Sequence, residues 1–234
     1  MTSLNDPVAV RREYADDVCL SARIAAQENA SGPDPRQVAF DAVAEVEPRL
    51  ILEVGPGRGE LAARMKRELG ARVVAVDQSE HMVELTEERG VEAIVGDVED
   101  LPFRDGIFDV AVAAWMLYHV QDVDRAVREL RRVLRPDGRL VAVTNSVDSM
   151  HELWSLIGYR PEYAFGAENG EWSLLRHFTV VRRHDVRGTV TFPNREAVHR
   201  YVRASVTKAD RADNLPFFDG PLVASRHVVV FVAE

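Results

Sequence analysis

The sequence predicts an α/β fold in which helices cover both faces of a mostly parallel sheet. Strand-like and helix-like segments alternate between residues 49 and 145. The strand-like segments are almost continuously apolar, which is typical of parallel strands buried on both sides. The helix-like segments are apolar on one side only, as Ala126, Val127 and Leu130 illustrate.

The elements of this core follow one another closely. Asp34 is an expected N-cap, Pro35 suits the first helical position, and Gln37 is placed to complete a capping box before a helix that ends near Pro48. The predicted core elements that follow are strand RLILEV (49–54), helix 59–69 ending at Gly70, strand RVVAVD (72–77), a helix between Ser79 and Gly90, strand VEAIVGD (91–97), strand FDVAVAAW (108–115), helix 122–134, a turn at RPDG (135–138) and strand RLVAVTN (139–145).

The two ends of the chain are less regular. Residues 8–30 are predicted to be helical, and residues 159–177 are irregular and rich in aromatic residues and glycine. The remaining predicted elements are a helix in SMHELWSLI (149–157), strand FTVVRRHDVRGTVTF (178–192), helix NREAVHRYVRAS (194–205) and a closing strand RHVVVFVAE (226–234).

Composition excludes several classes of protein. The formal net charge of −9 is unfavourable for a nucleic-acid partner, which a basic surface would attract. The single cysteine, Cys19, excludes an internal disulfide and a cysteine metal cluster, and no histidine pair has the spacing of a zinc protease. No apolar run is long enough to span a membrane, and the first residues lack the apolar core of a signal peptide. We therefore expect a cytoplasmic protein without nucleic-acid, membrane or metal partners; a homodimer remains open.

A glycine-rich turn, ILEVGPGRGELA at 51–62, joins the first core strand to its helix. Gly55, Gly57 and Gly59 allow a tight turn and a close approach to a ligand. The spacing differs from the G-x-G-x-x-G turn of dinucleotide enzymes. Glu53, just before the turn, is unfavourable beside a pyrophosphate and favours a ligand that carries an amino group and no phosphate.

Two further carboxylates end the next two strands. Asp77 is placed to accept the hydroxyls of a ribose, and Asp97 to accept from an amine such as adenine N6. Each residue alone has an ordinary structural interpretation as a helix cap or a turn residue, and a glycine turn alone is often only a tight turn. Together, Glu53, Asp77 and Asp97 fit a cationic nucleoside amino acid better than NAD.

Four segments in order, LEVGPGRGELA, VVAVDQSEHM, GDVEDLPFRDGIFDVAVAAWMLYHV and ELRRVLRPDGRLVAVT, resemble the class I S-adenosylmethionine-dependent methyltransferases. The nearest type is the small-molecule subset of the methyltransferase-11 type. The resemblance implies a doubly wound, seven-stranded, mostly parallel sheet of the Rossmann-like methyltransferase fold, with an antiparallel C-terminal strand and a helical lid. It also implies one domain, divided into N-terminal helices or lid (1–47), cofactor-binding core (48–146), variable acceptor-side region (147–225) and closing strand (226–234).

The resemblance implies S-adenosyl-L-methionine as the cofactor and a set of contacts to it. Glu53 and the backbone of the glycine turn are expected at the methionine part, and Asp77 at the ribose. The complete set of expected cofactor contacts is Glu53, Gly55, Pro56, Gly57, Gly59, Asp77, Gln78 and Met82 beside the adenine, Asp97 and Val98 at the adenine edge, and Ala114 and Trp115 near the sulfonium.

Tyr118 and His119, in WMLYHV at 115–120, are the candidate catalytic residues, because they follow the fourth core strand at its functional end. A histidine with an ordinary pKa near ~6.5 is suited to act as a general base. Packing against the following helix is an equally good interpretation of His119. The aromatic residues of the two end regions either line an acceptor pocket or form the core of a lid; these are Tyr14, Trp154, Tyr159, Tyr163, Phe165 and Trp172.

The sequence therefore predicts an enzyme that transfers methyl groups from S-adenosylmethionine to a small molecule by in-line displacement. Two alternatives remain. A nicotinamide-dependent oxidoreductase is disfavoured by Glu53 and by the glycine spacing. A non-catalytic S-adenosylmethionine-binding subunit has no distinguishing feature in this sequence. The acceptor and the methylated atom are not specified by the sequence.

Overall fold

The protein contains an eight-stranded sheet with helices on both faces. The computed structural model describes residues 4–14, 18–27, 29–205 and 207–234. Its strands are β1 (Ala30–Ser31), β2 (Leu50–Val54), β3 (Arg72–Asp77), β4 (Glu92–Val95), β5 (Phe108–Ala114), β6 (Leu134–Asn145), β7 (Val181–Phe192) and β8 (Leu222–Ala233). The helices of the described ranges are α1 (Pro7–Glu13), α2 (Val18–Gln27), α3 (Pro35–Ala44), α4 (Glu60–Leu69), α5 (Glu80–Glu88), α6 (Val123–Val133), α7 (His151–Leu156), α8 (Gly170–Leu175) and α9 (Arg195–Arg203).

The strand order is β1-β7-β8-β6-β5-β2-β3-β4. Strands β2 to β6 run parallel to their neighbours in this group, and β8 is antiparallel to both β6 and β7. The order changes direction between β2 and β5, so their carboxyl ends border the crevice in which doubly wound folds bind ligands. The predicted mostly parallel sheet with an antiparallel C-terminal strand is confirmed.

The sheet has eight strands and not seven, because the short β1 pairs antiparallel with β7 through Ala30 and Ser31. Such a two-residue strand has no periodic signal in the sequence. The expected helix over 8–30 is two helices, α1 and α2, and residues 15–17 and 28 lie outside the described residues.

Three local predictions are corrected. The predicted turn at 135–138 is a bulge within β6: the pairing passes from Leu134 opposite Phe108 to Arg139 opposite Val110. Arg131 stabilises this bulge by donating to the carbonyls of residues 134, 135 and 136. The closing strand begins at Leu222 and not at 226, and α8 lies inside the segment that was expected to be irregular.

Capping follows the sequence closely at the first turns of the core helices. The Asp34 carboxylate accepts from the Arg36 backbone N–H at 2.9 Å, and the Ser79 hydroxyl accepts from Met82 N–H at 3.3 Å. Gln37 does not complete a capping box: its side-chain oxygen accepts from Arg64 at 2.7 Å, and its NH2 group donates to Asp41. The beginnings of α3 and α5 are thus stabilised by bonds between neighbouring residues.

The strand period places alternate residues of β2 in two different cores. Leu52 and Val54 pack in the core that includes α6 and α8, whereas Ile51 packs in the core that includes α3 and α4. Glu53 follows Ile51 on the same face, because side chains two apart share a face of a strand. The Glu53 carboxylate therefore lies in an apolar layer at the end of β2.

We expect Leu130→Ala to lower the free energy of unfolding by about 2–5 kcal/mol, because the side chain is fully buried and its loss leaves a cavity. Arg128→Ala, at an exposed position of the same helix, should change it by less than ~0.5 kcal/mol. Urea denaturation of both variants tests this. Equal losses would contradict the assignment of this face of α6 to the core.

Candidate functional site

A cavity of about 770 Å³ lies beyond the carboxyl ends of β2, β3 and β5. Residues of α1 and α2, including Tyr14 and Arg23, line one side of it, and residues from the second half of the chain, including Tyr163 and Lys208, line another. Its size falls in the range of cavities that hold a drug-sized ligand. The cavity therefore lies where the topology predicts a ligand site.

The glycine turn forms part of the cavity wall with an unusual backbone conformation. Gly55, Gly57 and Gly59 all have positive φ angles, at 64°, 57° and 73°. A Cβ atom at Gly55 would lie 2.7 Å from the Met116 Cβ, closer than real side chains approach. The Gly55 N–H donates to the Val76 carbonyl at 2.8 Å, which holds the turn against β3. Only glycine at position 55 permits both this conformation and this contact.

Glu53 is the most unusual charged group of the site. It is only 2% exposed, and among the described residues no donor lies within hydrogen-bond distance of its Oε2 atom. Burial, together with the nearby Asp77 carboxylate, raises the pKa of Glu53 to about 8, and the Ala62 backbone N–H opposes this rise. A cationic donor at this carboxylate would supply the missing partner and stabilise the charged form.

Asp77 lies at the end of the neighbouring strand β3 and lines the same cavity. Its Oδ1 atom accepts from the Ser79 N–H at 2.9 Å. Burial raises its pKa to about 6, although backbone N–H groups of Ser79, Gln78 and Gly57 lower it. Two carboxylates thus face one cavity from adjacent strands, an arrangement that favours a ligand rich in donors and positive charge.

Two non-glycine residues of the cavity wall have a strained backbone. Trp115 and Met150 have positive φ angles of 54° and 60°, and both line the cavity. Such conformations cost about 1–3 kcal/mol for residues other than glycine and concentrate at functional sites. At Trp115 the strand β5 ends, and its N–H still donates to Val143 at 2.8 Å. The chain turns sharply here and places residues 114–116 along the cavity wall.

The structure brings most of the sequence-predicted cofactor residues to one cavity and leaves three outside it. Those that line the cavity are Glu53, Gly55, Pro56, Gly57, Asp77, Gln78, Val98, Ala114 and Trp115. Gly59 is the N-cap residue of α4 and packs against Thr86 of α5. Met82 is fully buried within α5. Asp97 is exposed, and its carboxylate accepts from the Glu99 N–H at 2.9 Å in a turn.

Both ring nitrogens of His119 have partners. The Nδ1 atom lies 2.8 Å from the Leu4 carbonyl, which only accepts, so Nδ1 carries the proton. The Nε2 atom therefore accepts from the Tyr14 hydroxyl at 3.0 Å. Burial lowers the pKa of His119 to about 4, so the ring is neutral near pH 7. The Tyr118 ring packs against His119, with centroids 4.5 Å apart. This geometry favours a role for His119 in holding Tyr14.

Tyr14 connects the N-terminal helices to the core. Its hydroxyl accepts from Arg23 at 3.3 Å, and its carbonyl accepts from the Ser79 hydroxyl at 2.8 Å. Arg23 forms an ion pair with the buried Glu13. Sequence reasoning missed Glu13 and Arg23, because a charged residue on a short helix ordinarily faces solvent. Their ten-residue spacing across a helix break carries no signal of a pair.

The aromatic residues of the end regions divide between two environments. Tyr14, Trp154 and Tyr163 line the cavity, as the pocket interpretation predicts. Phe165 is fully buried against Phe231 and belongs to the core, whereas the Trp172 side chain is 75% exposed. Tyr159 packs on Trp154 behind the cavity wall, with centroids 5.4 Å apart. Tyr201 and Lys208 also line the cavity, and neither was singled out from the sequence.

Over the described ranges, no three or more His, Cys, Asp and Glu side chains are arranged to hold a metal ion. No helix in the part of the chain that the structure describes is long and apolar enough to cross a membrane.

Comparison with known proteins shows which proteins share this fold. The YcgJ protein of Bacillus subtilis has a similar fold, with a TM-score of 0.63 at 19% identity over 84% of this chain and 96% of that one. The fold is that of the class I methyltransferases. Residues 52–142 match the family model described as "Methyltransferase domain".

Curated relatives share the core of the chain. A demethylmenaquinone methyltransferase of Thermotoga maritima is 37% identical over 109 residues, which are 45% of this chain and 48% of the relative. A mitochondrial arginine-hydroxylase of Mus musculus is 33% identical over 106 residues, 44% of this chain and 31% of the relative. The chain thus matches half or less of the length of these relatives, whose names give two different activities.

We expect Glu53→Gln to stabilise the ligand-free protein more at pH 8 than at pH 4.5. The folded-state pKa of about 8 lies above the ordinary value of 4.5. Between these values the folded protein keeps a proton that the unfolded chain has lost, so the wild-type free energy of unfolding falls as the pH rises. The Glu53→Gln variant has no carboxyl at this position, so its free energy of unfolding does not fall for this reason. Urea denaturation at both pH values measures the difference, with Glu88→Gln at an exposed position as the matched control. A stability difference that is the same at both pH values would contradict the burial of an ionisable group.

Proposed function

We propose that this protein is an S-adenosylmethionine-dependent methyltransferase that acts on a small molecule. The observation that carries the proposal is Glu53: a buried carboxylate, with one oxygen lacking a partner among the described residues, at the entrance of a glycine turn. A cationic amino group is the ligand that such a carboxylate stabilises best. The family match of residues 52–142 supports the same cofactor.

The residues of the site fit this cofactor in three ways. Glu53 and the backbone of Gly55 and Gly57 would hold the amino-acid end, and Asp77 would accept from the ribose hydroxyls. Val98, Ala114 and Trp115 would supply the remaining contacts that line the cavity. When bound, the cofactor supplies a methyl group already activated on a sulfonium. Gly59, Met82 and Asp97 do not line the cavity, so their expected contacts gain no support from their positions.

The chain itself would contribute orientation and the exclusion of water. The Tyr14–Arg23–Glu13 contacts hold α1 and α2 over the carboxyl ends of the strands. Correct alignment of two reactants can lower a barrier by as much as ~7–11 kcal/mol. A general base is needed only for an acceptor that must lose a proton. We propose a small acceptor because side chains from several parts of the chain border the cavity.

Two alternative functions predict different ligands or products. A nicotinamide-dependent oxidoreductase would place a pyrophosphate near the Glu53 carboxylate, which is electrostatically unfavourable. A protein that binds the cofactor without transferring its methyl group would share the part of the cavity that we call the cofactor half, which is lined by Glu53, Gly55, Gly57, Asp77, Val98, Ala114 and Trp115. The arginine-hydroxylase relative is a reason to test the reaction as well as the binding.

Calorimetric titration tests the cofactor. We expect binding of S-adenosylmethionine and S-adenosylhomocysteine, and none of NAD or ATP at similar concentrations. Tight NAD binding would overturn the proposal. Incubation with methyl-labelled cofactor and fractions of small metabolites then separates a methyltransferase from a protein that only binds: labelled product supports transfer, and binding without any labelled product favours the non-catalytic alternative.

Asp77→Asn should weaken S-adenosylhomocysteine binding at least tenfold, because a charge-assisted hydrogen bond contributes about 1.5–3 kcal/mol. The amide oxygen can still accept from the Ser79 N–H, so the turn should be preserved. Calorimetry measures the dissociation constant and circular dichroism the fold. Asp219→Asn, in an exposed loop, is the control. An unchanged dissociation constant in the folded variant would refute the role of Asp77.

His119→Gln is expected to lower the melting temperature and to leave turnover within a few-fold of wild type. The neutral ring uses both nitrogens to hold Leu4 and Tyr14, and its low pKa makes it a weak base. Melting curves test the expected fall in melting temperature without an acceptor. Turnover is measured with any acceptor that the labelling experiment finds. A general base predicts instead a loss of ~10²–10⁴-fold in turnover with an unchanged melting temperature. That outcome would restore the catalytic interpretation of His119 and of its neighbour Tyr118.

A further inference from the structure

The cavity continues past the cofactor residues into a region rich in aromatic rings. We call this region the acceptor half and define it by Tyr118, Trp154, Tyr163, Tyr201 and Lys208, all of which line the cavity. The Tyr118 and Tyr163 rings pack together, with centroids 5.4 Å apart, and Trp154 packs near Tyr201 at 6.1 Å. Rings on several sides favour a flat ligand, because aromatic surfaces stack well on one another.

Lys208 is a positive charge among these rings. Its ammonium group lies 5.4 Å from the centroids of both Trp154 and Tyr159. Its hydrogen-bond partners are two neutral hydroxyls, Ser205 Oγ at 3.2 Å and Thr207 Oγ1 at 3.4 Å. Burial lowers the pKa of Lys208 to about 8, while Glu13 raises it and Arg23 lowers it.

The cation lacks a counter-ion within the described part of the chain. No described carboxylate lies within 4.0 Å of the Lys208 ammonium, and the nearby Glu13 forms its ion pair with Arg23. Lys208 is partly exposed, and contacts with aromatic faces compensate a partly buried cation only in part, by ~0.5–2 kcal/mol. Burying a charge without a partner is costly, so a ligand that brings a negative charge would gain free energy here.

We propose that Lys208 binds an anionic oxygen, a carboxylate or a phenolate, on an aromatic methyl acceptor whose ring lies between the aromatic side chains of the acceptor half. That the aromatic anion is a methyl acceptor rests on the proposed methyltransferase function. Its binding at Lys208 rests on the residues of the acceptor half alone. A phenolate acceptor held in this way reaches the site without its proton. Such an acceptor needs no general base, in agreement with the engaged nitrogens of His119.

Paired probes of equal shape test the charge preference. Binding of 2-naphthoate and of neutral 2-naphthalenemethanol is measured by calorimetry and by quenching of tryptophan fluorescence. We expect the wild-type protein to bind the anion at least tenfold more tightly. Lys208→Met should remove the preference, whereas Lys208→Arg should keep most of it. The sequence contains a single other lysine, Lys66, which is exposed, so Lys66→Met is the matched control.

Several outcomes would overturn the proposal. They are an absence of naphthoate binding, equal affinity for both probes in the wild type, or an unchanged preference in Lys208→Met. If Lys208→Met fails to fold, measurements on the wild-type protein still test the proposal. Lysine labelled with ¹³C at Cε gives two signals, and naphthoate should shift that of Lys208 and leave that of Lys66 in place. A shift of neither signal, or of both equally, contradicts a site at Lys208.

The same samples separate this inference from the proposed function. Titration with S-adenosylhomocysteine examines the cofactor half, which does not include Lys208. Binding of the aromatic anion without the nucleoside would leave Lys208 as an anion site and refute the methyltransferase proposal. Binding of the nucleoside without any preference for the anion would refute the inference and leave the methyltransferase proposal standing.

Discussion

The buried carboxylate of Glu53 is the constraint on which the site depends. Strand β2 needs apolar residues on both faces, yet its fourth residue is a glutamate that is 2% exposed. The fold tolerates this because the carboxyl holds a proton at neutral pH when no ligand is present, as its raised pKa indicates. Helix α4, which follows the glycine turn, brings the Ala62 backbone N–H to the same carboxylate. A cationic ligand would therefore relieve an energetic cost that the empty fold carries.

Polar contacts of Tyr14 join the N-terminal helices to this core. Tyr14 contacts His119 and Arg23 through its hydroxyl, and Ser79 through its backbone carbonyl. Ser79 also caps α5, next to Asp77, so the cover over the cavity and the proposed ribose contact share a residue. Both ring nitrogens of His119 form hydrogen bonds with the N-terminal segment, at Leu4 and at Tyr14. These bonds explain why a histidine at the functional end of a strand has a structural role.

The cavity contains two halves with opposite electrostatic character. The cofactor half presents the carboxylates of Glu53 and Asp77, whereas the acceptor half presents the ammonium group of Lys208 among aromatic rings. A cationic donor and an anionic acceptor would each find a complementary partner there. Their mutual attraction would then favour the approach that methyl transfer requires, since unlike charges interact strongly in a site shielded from water.

The sequence by itself determined the elements and motifs whose causes are local. The caps Asp34 and Ser79, the glycine turn at 55–59 and the apolar strands required only neighbouring residues, and they predicted the parallel sheet. The resemblance to the class I methyltransferases added the antiparallel last strand and most residues of the cavity wall. Tertiary structure decided the rest. The pairing of Glu13 with Arg23, the two-residue strand β1 and the position of Lys208 over Trp154 join residues distant in the chain. It also placed Met82 in the core and Asp97 in an exposed turn, because a residue's place at a strand end does not set the direction of its side chain. Periodicity reports which face of an element is buried; which side chains meet across the cavity depends on how the elements pack.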